Sequence, residues 1–106
     1  MAKRPTRLYI EPFTYSLEAR PGWSEATGNM GNCLKDSQQL IIDPGLSDQA
    51  ERDTVLHEAL HALWSQTGLQ KEYTEEQEEG IVWQLTPRLL GFLKDNPEFV
   101  KWLLGR

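Results

Sequence analysis

His57 and His61, the only two histidines of the chain, lie four positions apart in Thr54-Val55-Leu56-His57-Glu58-Ala59-Leu60-His61-Ala62-Leu63. This His-Glu-x-x-His run limits the fold more than any other feature. Positions i and i+4 share one face of a helix, so the two imidazoles converge only if the segment is helical and docked. The local sequence agrees: no Pro or Gly interrupts it, and Val55, Leu56, Ala59, Leu60, Leu63 and Trp64 form an apolar stripe. Two imidazoles so placed can grip one zinc ion, and the intervening Glu58 can act as a general base on the water such an ion binds. The bland reading is a pair of solvated histidines. It leaves unexplained why every histidine of the chain falls into this one pattern.

The rest of the chain supplies a frame for that helix. Arg7 to Ala19 alternates apolar and polar residues, which predicts a strand, and Pro12 implies an edge, a bulge or two short pieces. Arg20 to Asn29 reads as loop. Met30–Leu34 and Gln39–Asp43 predict a hairpin around Lys35-Asp36-Ser37-Gln38, and Asp43-Pro44-Gly45 is a stop. Ser47 or Asp48 caps the histidine helix, with Glu51 closing a capping box if Asp48 is the cap. The helix is expected to run to about Gln66 and to end at Gly68. Thr74-Glu75-Glu76-Gln77 is a second capping box that opens a helix to about Leu93, kinked at Pro87. Asn96-Pro97-Glu98 starts a short helix ending at Leu104. The expected fold is α+β in one domain over 1–106: a small antiparallel sheet, the histidine helix, a glutamate-bearing helix and a short C-terminal helix. Residues 1–6 are expected to be loose.

A catalytic zinc takes three protein ligands and leaves one position open. No third histidine exists, so a carboxylate or Cys33 must serve. The second helix offers Glu75, Glu76, Glu78 and Glu79. Ile81, Val82, Leu85, Leu89, Phe92 and Leu93 define its apolar face, and Glu78 projects onto the centre of that face. Glu79 sits at the edge and is the alternative. Glu75 and Glu76 suit the helix dipole. Cys33 reads as a small buried residue before it reads as a ligand. Tyr73 could reach over the site, but an ordinary packing role is the simpler reading. Trp23, Trp64, Trp83 and Trp102 read as core and inter-helix packing.

Composition narrows the partners. A net charge of −5 argues against nucleic acid, which wants a basic face. No apolar run approaches membrane-spanning length, and no signal-peptide stretch is visible. A single cysteine forms no intramolecular disulfide and suits a reducing cytoplasm.

Thr54–Leu63, Glu78-Glu79-Gly80-Ile81-Val82, Leu85–Leu90 and Leu93–Pro97 together resemble the small zinc metallopeptidases of phages and prophages. These are similar to ImmA/IrrE-type metallo-endopeptidases and, more loosely, to SprT-like proteins. The resemblance implies a zincin-like domain, a bacterial-host cytoplasm, a peptide or protein substrate, and a third zinc ligand from the helix after the His-Glu-x-x-His helix. In those relatives a small residue follows the ligand glutamate, which in register points to Glu79 before Gly80. The helix face points to Glu78, so both stay open here. Residues 1–106 are expected to hold no counterpart of the extra domain that regulatory relatives use to choose partners. A catalytically idle zincin-fold module of phage origin, stabilised by zinc, is the alternative to a peptidase, and a helical protein without metal is the third reading.

Overall fold

The strand pattern from Arg7 to Ala19 breaks at Pro12, giving β1 (Arg7–Ile10) and β2 (Phe13–Ala19), which pair as an antiparallel hairpin. The computed structural model describes residues 3–106, so the first two of the six residues expected to be loose lie outside it. Residues 3–5 have no regular structure, but the Arg4 guanidinium pairs with Glu51. After β2 the chain forms a one-turn helix α1 (Trp23–Thr27) where only loop was expected. Gly22 and Gly28 flank it with positive φ, and Asp43 ties it down. Asp43 Oδ2 accepts from Ser24 N (2.9 Å) and Ser24 Oγ (2.6 Å), while Oδ1 accepts from Gly45 N (2.8 Å).

The expected hairpin forms as β3 (Gly31–Leu34) and β4 (Gln39–Ile42). The sheet, however, is mixed rather than antiparallel. Its order is β1-β2-β4-β3, and β2 runs parallel to β4. The excursion through α1 carries the chain to the outer edge, β3. The tight turn then brings β4 back into the gap beside β2. Leu40, Ile41 and Ile42 are each 0% exposed. An unbroken apolar run of this kind belongs to a central strand covered on both faces, and here it is central.

Helix α2 (Asp48–Trp64) packs across one face of the sheet. Ile10, Tyr15, Leu17, Leu40, Ile42 and Ala62 form the core beneath it, with Val55, Ala59 and Cys33 against them. Ser47 is the cap, its Oγ accepting from Ala50 N at 3.2 Å. The Asp48–Glu51 capping box is therefore not used. Helix α2 stops at Trp64 rather than Gln66, because Ser65 Oγ and Thr67 Oγ1 donate to the carbonyls of Ala62 (2.6 Å) and Trp64 (2.7 Å). Gly68 opens a 3-10 turn (Gly68–Lys71) instead of ending the helix.

Helix α3 (Glu75–Asp95) has the expected box: Gln77 N donates to Thr74 Oγ1 (3.1 Å) and Thr74 N to Gln77 Oε1 (2.8 Å). It continues through Pro87, and α4 (Pro97–Leu104) follows, ending at Gly105. The buried line of α3 is Glu78, Val82 and Thr86. Ile81, Leu85 and Phe92, expected on the buried face, are exposed. Helix α2 covers only the narrow i, i+4, i+8 strip, and among the described residues no further layer covers the rest. For the same reason Trp83 and Trp102 are not core: they are 63% and 76% exposed.

One close approach sets the depth of α2 against the sheet. A Cβ at Gly31 would lie 2.7 Å from both the Ile41 carbonyl oxygen and Thr54 Cγ2, and 3.4 Å from Glu58 Cγ. Gly31→Ala is therefore expected to cost about 1–3 kcal/mol, a fall in melting temperature on the order of 5–15 °C. A melting curve unchanged from wild type would show that α2 can back away freely.

Candidate metal centre

Helix α2 presents His57 and His61 one turn apart, and α3 crosses in front of them with Glu78 in its first turn and Glu79 just after it. The Nε2 atoms of the two imidazoles face each other at 3.1 Å. The Glu79 carboxylate bridges them, Oε1 at 2.8 Å from His57 Nε2 and Oε2 at 2.9 Å from His61 Nε2. His57, His61 and Glu79 form a group whose ligand atoms all lie within 4.8 Å of one another.

Glu78, the first choice from the helix face, is turned the other way. It is buried as that reading requires, but its Oε2 accepts from His61 Nδ1–H at 2.6 Å. It faces the ring nitrogen opposite the one that looks at Glu79. Two adjacent glutamates project about 100° apart on a helix. One meets the outer imidazole edge of His61 while the other reaches the space between the two rings.

The donor set suits a divalent cation. A proton on His61 Nδ1, directed at Glu78 Oε2 2.6 Å away, would leave the Nε2 lone pair facing His57 Nε2. Such a pair needs a proton or a metal ion between its members. Two nitrogens on one tetrahedral zinc stand about 3.3 Å apart, close to the distance seen. A carboxylate on the far nitrogen of a ligating histidine is the usual second partner that fixes its tautomer. Imidazole with carboxylate is a borderline set that zinc accepts readily. Burial also holds His57 below its ordinary range, with Glu79 acting against this, so the neutral ligand form persists to lower pH.

Glu58 points into the same cleft and is 8% exposed. Burial pushes its carboxyl up to about 7; His61 draws it down and Glu79 pushes it up. With no metal bound, the folded chain thus keeps a proton that the unfolded chain loses near pH 4.5. Stability from this group falls as pH rises from about 4.5 through 7. His57 acts in the opposite sense, and it is common to wild type and variant. Metal-free Glu58→Gln is therefore expected to be more stable than metal-free wild type at pH 8, by on the order of 2–3 kcal/mol. The difference should vanish near pH 4–5. Coincident melting curves at pH 8 would contradict the buried position of this carboxyl.

The cleft is open, about 1060 Å³, and runs between α2, the start of α3 and the strand β3. Because β3 is a sheet edge, the backbone along Asn32–Leu34 borders the cleft. Cys33 lines it too, but burial first and then Glu58 push its thiol up to about 11, so it stands as neutral thiol outside the ligand group. Tyr73 packs edge-on against Trp64 (centroids 5.8 Å) and does not line the cleft. Trp83, read from sequence as core, stands edge-on to His57 with centroids 6.1 Å apart and forms a wall of the cleft. Its position four residues after Glu79 was the signal that placed it on this face. No protein-family model matches the chain, and comparison with curated proteins and with solved structures finds none similar to it.

Proposed function

We propose that this chain is a zincin-like, zinc-dependent peptidase, with His57, His61 and Glu79 as the ligands and Glu58 as the general base. The observation that carries the reading is the convergence of both Nε2 atoms and the Glu79 carboxylate on one point, at the wall of a cleft that also holds a buried carboxyl. When bound there, zinc would supply Lewis acidity toward a water and a scissile carbonyl. The chain's own groups do the rest. Glu58 takes the proton from the attacking water and returns it to the leaving amine. A carboxylate in the same cleft as the ligand group stands where it can do both. Glu78 holds His61 in the Nδ1–H tautomer, keeping Nε2 free as a donor atom. An extended substrate would pair with the free edge of β3, and Trp83 would close the opposite wall. The cytoplasm of a bacterial host is the compartment this reading favours. Among the described residues, no helix is long and apolar enough to cross a membrane.

The test is metal content with activity. Protein purified without chelator is expected to hold about one zinc per chain and to cleave a quenched peptide library. Stripping the metal is expected to abolish cleavage, and to lower the melting temperature by several degrees because only the folded chain assembles the ligands. Zinc should restore both. A protein that takes up no transition metal when zinc is offered at neutral pH removes the reading. A protein that binds zinc but cleaves nothing is an idle zincin-fold module.

A further inference from the structure

Eight of the fourteen large apolar side chains that the described residues leave in solvent lie between Ile81 and Leu104. Helix α4 is the extreme case. Phe99, Trp102, Leu103 and Leu104 are all exposed, and α4 is held to the body by Phe99 standing edge-on to Phe92, centroids 5.4 Å apart. Phe99, Trp102 and Leu103 fall at i, i+3 and i+4, the spacing with which an amphipathic helix enters an apolar groove. The chain also carries such a groove. Leu60, Leu63, Trp64, Leu69, Ile81 and Leu85 line a concavity of about 190 Å³ between α2, the 3-10 turn and α3, with no charged side chain on it. It shares no residue with the metal cleft. Its volume falls below the roughly 300–1,000 Å³ of small-molecule sites, and it suits one or two apolar side chains. No residue of α4 lines it. One molecule therefore holds an apolar helix without a groove and an apolar groove without a helix.

The exposed area points to a second copy as the occupant. A 12.2 kDa monomer is expected to expose about 6,000 Å², whereas this chain exposes 7658 Å². Its radius of gyration, 14.2 Å, also exceeds the roughly 13 Å of a close-packed chain this long. A stable dimer removes about 800 Å² from each partner, which this surplus can supply.

We propose that two copies of this chain pair by exchanging α4, the Phe99/Trp102/Leu103 face of each filling the Leu63/Ile81/Leu85 groove of the other. Reciprocal exchange closes the assembly as a twofold pair and leaves both metal clefts open. The proposal does not depend on the peptidase reading. Sedimentation of the full chain tests it, at about 50 µM, well above a micromolar Kd. Wild type is expected to run at twice the mass of one chain. Trp102→Glu (helix-defective) and Leu85→Glu (groove-defective) should each halve that mass. Both positions are exposed, so each variant should keep the wild-type circular dichroism spectrum. An equimolar mixture of the two variants restores one helix-in-groove contact and should recover the double mass at weaker affinity. A wild type that runs as a monomer overturns the proposal, as does a ladder of larger species. A Leu85→Glu variant that stays paired, as a symmetric α4–α4 contact would require, overturns it, as do a Trp102→Glu variant that stays paired and a mixture that stays monomeric.

Discussion

Glu58→Gln is expected to bind zinc within about threefold of wild type while losing peptide hydrolysis by roughly 10³-fold. Gln keeps the size and hydrogen-bonding capacity of Glu but cannot take a proton from water. The ligand group of His57, His61 and Glu79 does not include Glu58, so metal affinity should survive. The variant should also fold well, because it replaces a buried ionisable group whose charged form burial disfavours. The measurement is zinc titration beside single-turnover cleavage of a fluorogenic peptide. Cleavage at the wild-type rate would assign the base elsewhere. Loss of zinc together with cleavage would make Glu58 a ligand, and the division of roles drawn from the cleft would be wrong.

Removing Glu79 is expected to be the most damaging change to metal affinity outside the histidines. Glu79→Ala takes away the carboxylate that lies 2.8 and 2.9 Å from the two Nε2 atoms. It should weaken zinc binding by more than roughly 100-fold, since two ligands remain where a zinc site needs three. Glu78→Ala should weaken it by about 10–100-fold, the range found for groups that orient a ligating histidine. Glu78→Gln should recover part of that loss, because an amide oxygen still accepts from His61 Nδ1–H. Glu75→Ala and Glu76→Ala lie outside the ligand group in the first turn of α3 and should change affinity less than about twofold. Zinc titration of the five variants decides the matter. If Glu78→Ala is worse than Glu79→Ala, the two carboxylates exchange roles when metal is present.

The elements of this protein are written in local chemistry, and most can be read from it. Thr74 with Gln77, Asn96-Pro97 and Gly105 mark helix ends because capping and turn geometry act over three or four residues. The His57–His61 pair is equally local: a helical repeat places both rings on one face whatever surrounds them. The same repeat makes Glu78 and Glu79 the carboxylates of interest. Local chemistry does not determine how α3 is rotated against α2. Ile81, Leu85 and Phe92 match an apolar face, yet the packing buries Glu78, Val82 and Thr86. Hydrophobic periodicity assumes that every apolar stripe finds a partner, and in a chain of 106 residues there is too little second layer to cover them all. Rotation also divides the work between the glutamates, directing Glu79 to both rings and Glu78 to the back of His61. The parallel pairing of β2 with β4 is likewise tertiary. It follows from where the α1 excursion leaves β3, and its one local trace is the unbroken run Leu40-Ile41-Ile42. Sequence alone determined which residues are available for the chemistry; the crossing of α2 and α3 determined which of them meet.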